Sequence, residues 1–248
     1  MSVVILATVL CMNRANIEVE IKCLANLQQI NNLKEIIARY SKESNGDGEL
    51  ISLHENQINF YYQSKESGLE GELESLQNVV DLLPIPAEEK EKLNSIASKY
   101  SLRLRQTELN TIFICKATSN KNSSDHINNQ AVRLEIEVKL PFEKLQELDQ
   151  ILLTYFTYQS KWSRQRETIK FEDITICIDK NAGYGYLVEL EKMEEKEENS
   201  AQTIEYLIEV AGKLGLELLA DDRLERMFNF YNKSWETFYG TENTFTIY

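Results

Sequence analysis

Six or seven segments of this chain alternate apolar and charged residues, and no other feature restricts its fold as much. The longest strict alternation is Val132–Leu140, with Arg133, Glu135, Glu137 and Lys139 on one side and Val132, Leu134, Ile136 and Val138 on the other. Ile17–Leu24 places Glu18, Glu20 and Lys22 in the same way, and Leu102–Gln106 places Arg103 and Arg105. Lys116 closes the alternation of Thr111–Ala117, Arg164 and Arg166 share a face, Glu189 and Glu191 share another, and Asp179 ends Ile174–Asp179. A period of two is the pattern of a strand with one buried face. For any single strand the ordinary account is a half-buried sheet whose charged face meets water. Here the charged face recurs, with carboxylates paired on three strands and bases paired on two, and a solvated face needs no such sorting. A sheet closed into a barrel would bring all these groups into one lumen. Carboxylates gathered there repel one another unless divalent cations neutralise them, and hard oxygen donors select Mg²⁺ or Mn²⁺. Arginine and lysine beside them take an anion with many oxygens, for which the planar guanidinium fork suits phosphate. The combination reads as a polyphosphate site, with metal ions bridging phosphate oxygens and activating a water or hydroxyl for in-line attack.

The rest of the chain is consistent with one domain. Apolar residues at helical spacing predict an amphipathic helix over residues 26–40 (Leu27, Ile30, Leu33, Ile36, Ile37, Tyr40). Gly46 and Gly48 mark a turn, and a strand pair is expected through about 49–62. Residues 65–100 are acidic, helix-prone and broken at Pro84 and Pro86, which reads as a two-helix insertion. The stretch 119–129 is a polar loop; a helix is expected over about 141–155, strands over about 162–170, 173–179 and 185–192, and two helices over most of 200–237. The charge run 193–199 reads as a solvated helix start. Strands and helices mixed without regular βαβ alternation predict an α+β fold with an antiparallel sheet. The division expected is an apolar N-terminal extension (1–15), a single domain (16–240) and a C-terminal tail (241–248).

Composition excludes several classes. With 40 acidic and 27 basic residues the formal net charge is −13, which argues against a general nucleic-acid binder while leaving room for a local basic pocket. No apolar run reaches the ~20 residues that span a bilayer. Val3–Cys11 makes a poor signal peptide, leaving an extra strand or helix, or a start placed too early, and the expected location is the cytoplasm. Cys11, Cys23, Cys115 and Cys177 show neither CxxC pairing nor regular spacing, so no zinc site or disulfide framework is indicated. His54 and His126 lie in polar stretches and read as surface residues, which leaves a Ser-His-Asp or Cys-His mechanism little to build on.

Glu18-x-Glu20-x-Lys22 resembles the ExExK motif that opens the CYTH family, which includes class IV adenylyl cyclases, thiamine triphosphatases, inorganic triphosphatases and related RNA triphosphatases. The resemblance continues in order through Gln57-Ile-Asn-Phe-Tyr-Tyr62, Leu102-Arg-Leu-Arg105, Phe113-Ile-Cys-Lys116, Arg133-Leu-Glu-Ile-Glu137, Arg164-Gln-Arg166 and Asp179-Lys-Asn-Ala-Gly-Tyr-Gly-Tyr-Leu-Val-Glu-Leu-Glu191, spanning about residues 16–236. It implies a closed or nearly closed tunnel of about eight antiparallel strands with helices outside. It also implies that Glu18, Glu20, Glu189 and Glu191, aided by Glu135 or Glu137, hold the metals, with Glu18, Glu20 and Lys22 forming the catalytic set. Lys22, Arg103, Arg105, Lys116, Arg133, Arg164 and Arg166 would clamp the triphosphate. Asp179 is placed either as a metal ligand or as a residue that orients a base. The chain departs from the family in its long acidic insertion, in Asn59 where the family carries an acid, and in Tyr184 where Leu is typical. The insertion could cover a tunnel mouth, bind a partner or decorate, and decoration is the simplest.

The function implied is divalent-metal-dependent hydrolysis of a small-molecule triphosphate. The alternatives are a class IV adenylyl cyclase making cyclic AMP and pyrophosphate, which needs a pocket for adenine and ribose, and a non-catalytic polyphosphate or nucleotide binder. No membrane partner is expected, and dimers are common among relatives, so a homodimer is compatible with the resemblance.

Overall fold

The protein is described by a computed structural model over residues 17–45, 52–118 and 130–247. The readings placed on residues 1–15, Cys11, Gly46, Gly48, the loop 119–129 and His126 fall outside the described residues. The elements run β1 (Ile17–Ala25), α1 (Leu27–Asn45), β2 (Ser52–Ser64), α2 (Gly68–Val80), α3 (Ala87–Asn94), β3 (Tyr100–Gln106), β4 (Asn110–Thr118), β5 (Gln130–Pro141), α4 (Leu145–Tyr155), β6 (Phe156–Phe171), β7 (Ile174–Asn181), β8 (Gly185–Glu194), α5 (Ser200–Lys213) and α6 (Asp221–Phe238). The strands pair in the order β1-β5-β4-β3-β2-β6-β7-β8, every pair antiparallel, and β8 pairs back onto β1 to close a barrel. The α+β expectation holds, and closure removes the exposed edges that an open sheet would present.

The apolar side of each strand faces away from the lumen, so the hydrophobic core lies outside the barrel. Val19, Ile21 and Cys23 of β1 pack with Ile30, Leu33 and Ile37 of α1 and with Leu207, Val210 and Ala211 of α5. A second core joins Leu102, Leu104, Phe113 and Cys115 of β3 and β4 to Leu148 and Leu152 of α4 and to Leu76, Val79, Val80 and Leu93 of α2 and α3. Residues 76, 79, 80 and 83 recur at helical spacing and all four are buried. The insertion is thus part of the core, and the simplest expectation for it, decoration, gives way to structural packing.

Two other expectations are corrected. Residues 49–62 do not form a strand pair: β2 is one strand of 13 residues that pairs with β3 on one side and β6 on the other. The charge run 193–199 is a helix start only in its last part: it begins inside β8, which extends to Glu194, and Glu197–Asn199 form a 3₁₀ turn that leads directly into α5. Both errors come from long barrel strands outlasting their hydrophobic alternation, because ladder hydrogen bonds hold the polar ends as well. The C-terminal tail is docked: the Phe245 amide donates to the Gly183 carbonyl at 2.6 Å. Gly183 sits at φ 93°, and a Cβ there would lie 2.9 Å from the Phe245 ring, so both backbone sterics and the tail demand glycine. Among the described residues no helix is long and apolar enough to cross a membrane.

Candidate functional site

The even positions of β1 point into the lumen, and register decides whom they meet. Across the β1–β8 ladder Glu20 stands opposite Glu191 and Lys22 opposite Glu189. Across β1–β5 Glu18 stands opposite Arg133, and across β4–β5 Lys116 stands opposite Glu135. The side chain of Arg133 lies outside what is described, so its place is known only as a register position. Glu18, Glu20, Lys22, Arg103, Arg105, Lys116, Glu135, Glu137, Arg164, Arg166, Glu189 and Glu191 all line one cavity of about 860 Å³. The separate charged faces read from the sequence therefore do converge.

The acidic wall carries a like-charge conflict. Carboxylate oxygens of Glu18, Glu20 and Glu191 lie within 4.8 Å of one another. Like charges directly opposite in a sheet destabilise it, and these are also withdrawn from water. Burial pushes the Glu18 carboxyl up to about 8; Lys116 opposes this, while Glu20, Glu135 and Glu191 add to it. Burial likewise raises Glu191, with Glu189 and Glu20 contributing against Arg166 and Lys116. Two lysines relieve part of the strain: Lys116 contacts Glu18 and lies 3.2 Å from Glu135, and Lys22 lies 2.5 Å from Glu20 and 3.4 Å from Glu189. Hard oxygen donors clustered in this way fit a divalent cation.

The basic wall is built differently. On β2, Gln57, Asn59 and Tyr61 occupy alternate positions facing the lumen between β3 and β6. Gln57 Oε1 accepts from Arg164 Nε at 2.7 Å, Asn59 Oδ1 from Arg105 Nε at 3.2 Å, and the Tyr61 hydroxyl from Arg103 Nη1 at 2.6 Å. Three neutral acceptors on one strand thus aim three guanidinium groups without cancelling their charge. Burial, then Arg103, Arg164 and Arg166, all press the pKa of Arg105 down, with Glu137 at 3.7 Å on the other side. Among the described residues Arg103 Nε is a buried donor with no hydrogen-bond acceptor.

Asp179 is fully buried behind this wall and does not line the cavity. Its oxygens accept from Arg164 Nη1 at 2.6 Å, from Arg166 Nε at 2.7 Å and from Arg166 Nη2 at 2.6 Å. Arg166 also reaches Glu189 at 2.5 Å. Of the two roles open to Asp179, orienting bases is the one this geometry favours.

Toward the end where β2 finishes and β6 begins, the lining mixes the aromatic Tyr61, Trp162, Tyr184 and Phe228 with the polar Gln63, Ser64, Lys99, Ser101 and Asn232. Toward the other end the lining is Glu137, Lys139, Lys170 and Thr175. The sequence reading assigned no role to Gln57, Tyr61, Trp162, Phe228 or Asn232. Gln57 and Tyr61 were legible as the alternate positions of β2, and Trp162 as the residue two before Arg164 on the same face. Phe228 and Asn232 come from α6 and left no signal. Cys177 also borders the cavity, but burial pushes its thiol up to about 12, out of range for thiolate chemistry at neutral pH. His54 is exposed on β2 and takes no part in the cavity lining.

A family model described as the CYTH domain matches residues 91–223. No match is found among curated proteins. Among solved structures, a protein from Pyrococcus horikoshii is 21% identical with a TM-score of 0.55, covering 82% of this chain and 93% of that one. A conserved hypothetical protein from Pyrococcus furiosus is 20% identical with a TM-score of 0.51 over 81% of this chain and 91% of that one. A Vibrio parahaemolyticus protein provisionally described as an adenylate cyclase is 15% identical with a TM-score of 0.51 over 82% of this chain and 91% of that one. At such identities the likeness is one of fold.

Proposed function

The chain belongs to the CYTH family, and on that premise we propose that it is a divalent-metal-dependent hydrolase of triphosphates working inside the barrel lumen. The observation that carries this reading is the division of one cavity into a carboxylate wall and an arginine wall. Glu18, Glu20 and Glu191 would hold Mg²⁺ or Mn²⁺, with Glu189, Glu135 and Glu137 in support. Such a cation, when bound, supplies Lewis acidity toward phosphate oxygens and toward water.

The chain's own residues do the rest. Arg103, Arg105, Arg164 and Arg166 grip the non-bridging oxygens, and Arg133, whose register position is opposite Glu18, would supply a further base. Gln57, Asn59, Tyr61 and Asp179 keep the guanidinium groups from swinging, which presets the electrostatic environment before substrate arrives. Lys22 and Lys116 stand among the carboxylates, where they face the terminal phosphoryl group and offset charge that builds on it. Phosphoryl transfer depends mainly on this kind of positioning and charge stabilisation.

The test is product identification from tripolyphosphate, thiamine triphosphate and ATP, each with Mg²⁺, Mn²⁺ and EDTA. Orthophosphate release that requires the metal supports hydrolysis. Cyclic AMP with pyrophosphate would make the protein a cyclase instead, and tight binding without any product would make it a binder.

Asn59 offers a finer check. Asn59→Asp would set a carboxylate against Arg105 and neutralise the most crowded guanidinium of the wall. KM for the triphosphate should then rise about tenfold, with kcat less affected. An unchanged KM would mean that Arg105 does not touch substrate.

A further inference from the structure

The last residues of the chain lie beyond the stretch that matches the CYTH model, which ends at residue 223, yet they are fastened to the wall of the lumen. Thr244 forms a parallel bridge with Gly183, the Phe245 amide donates to the Gly183 carbonyl, and the Ile247 carbonyl accepts from Arg223 Nε at 3.0 Å. The half-buried Phe245 ring lies 4.8 Å from Phe230 and 4.9 Å from Phe238 of α6, and 6.1 Å from Tyr184. Residues 244–247 thus form a strap that holds the β7–β8 turn from outside the barrel.

What the strap holds is Tyr184. It stands between Gly183 at φ 93° and Gly185 at φ 88°. Glycines on both sides leave the turn little stiffness of its own, so the packing behind Tyr184 decides where its ring lies. On its other side the ring meets Trp162 edge-on at 5.4 Å, and both rings border the cavity.

The same turn abuts the arginine wall. The Ala182 amide donates to the Ser163 carbonyl at 3.1 Å, and the β6–β7 ladder sets Asn181 opposite Arg164. Asp179, the acceptor for Arg164, lies two residues earlier on the same strand. Burial, and then the nearby Asp179 carboxylate, push the Tyr184 hydroxyl well above its usual range against the opposing pull of Arg164. The ring therefore stays neutral beside that ion pair.

Resting on the triphosphatase reading above, we propose that the C-terminal strap positions the arginine wall: Phe245 seats Tyr184, and Tyr184 with Trp162 keeps Arg164 and its Asp179 partner where they meet the triphosphate. Phe245 is a positioning residue, because it borders neither the lumen nor any group that would touch substrate. An aliphatic side chain at 184 would have no ring edge to offer Phe245, so the two residues act as a pair.

A double-mutant cycle on that pair is the test. The chain has two tryptophans, Trp162 and Trp235, so Trp235→Phe leaves Trp162 as the sole indole and serves as the parent. Phe245→Ala should raise KM for tripolyphosphate about tenfold, near the upper range of what one aromatic pair is worth, with kcat almost unchanged. It should also make Trp162 more accessible to acrylamide, a readout that needs no substrate. In Tyr184→Leu the same Phe245→Ala change should have no further effect on KM. Should Phe245→Ala fail to fold, Phe245→Leu, which keeps the apolar bulk without the ring, takes its place in the cycle. Equal effects of the Phe245 change with Tyr184 and with leucine at that position would overturn the pairing and leave the triphosphatase reading in place. So would an unchanged KM and unchanged quenching. A parent protein that neither binds nor hydrolyses tripolyphosphate would overturn the reading above and, with it, the part of the strap in substrate binding.

Discussion

Glu191→Gln should lose at least about a hundredfold of metal-dependent phosphate release while melting at a higher temperature than the parent protein in EDTA. The two halves have one cause. Glu191 faces Glu20 directly across the β1–β8 ladder, and its carboxylate converges with those of Glu18 and Glu20. Burial raises its pKa, so in the absence of a cation the ionised form costs folding energy that an amide of the same shape does not. Glutamine keeps the volume and one acceptor oxygen but loses the charge that would hold the cation. The gain in melting temperature should vanish when Mg²⁺ or Mn²⁺ is added. Full activity in Glu191→Gln would remove this residue from the metal set, and equal melting temperatures in EDTA would remove the like-charge argument.

The same conflict sets a pH dependence. Glu18 holds its proton up to about 8 in the folded chain, against a usual value of 4.5. Between those values the native state keeps a proton that the unfolded chain has released. The sign of the linkage is therefore negative: stability in EDTA should decline as pH rises from about 5 to 8 and level off above that. Saturating Mn²⁺ should flatten the slope, because the cation takes the place of the proton. Melting curves across that range, with and without the metal, check it; a flat profile in EDTA would show that the acidic wall is not strained.

Asp179→Asn should cost about 3–5 kcal/mol of stability, close to ten degrees or more in melting temperature for a chain of this size. Asp179 is fully buried and takes three hydrogen bonds from Arg164 and Arg166. An amide cannot balance two guanidinium groups withdrawn from water. Arg166 would retain Glu189, but Arg164 would be left with the neutral Gln57. Freed to swing, Arg164 would also weaken triphosphate binding. The variant separates the two roles open to this residue. Lost stability with metal affinity retained marks an orienting residue, whereas lost metal affinity at unchanged stability would mark a ligand.

How much of this was legible from the residues depends on distance along the chain. Glu18, Glu20 and Lys22, or Arg164 and Arg166, announce a shared face because a strand repeats every two residues. Their common destination was an inference from sorting by charge type, and the closed ladder supports it. The insertion was read too lightly. Leu76, Val79, Val80 and Leu83 were visible as a helical stripe, but which surface would bury them was not. The row Gln57, Asn59 and Tyr61 is visible as part of a motif, but neutral side chains acquire a task only beside particular arginines.

The order of charged and apolar residues alone determined most of the strands, which side chains share a face, the α+β class and the family. Those properties are set by local geometry, by period-two alternation and by motifs a few residues long. Tertiary structure alone decided that Glu20 meets Glu191, that Asp179 turns away from the lumen to hold two arginines, and that Phe228 and Asn232 of α6 line the cavity beside Trp162. Such meetings depend on strand register, barrel stagger and helix docking, which join residues far apart in the chain and leave no periodic trace in its order.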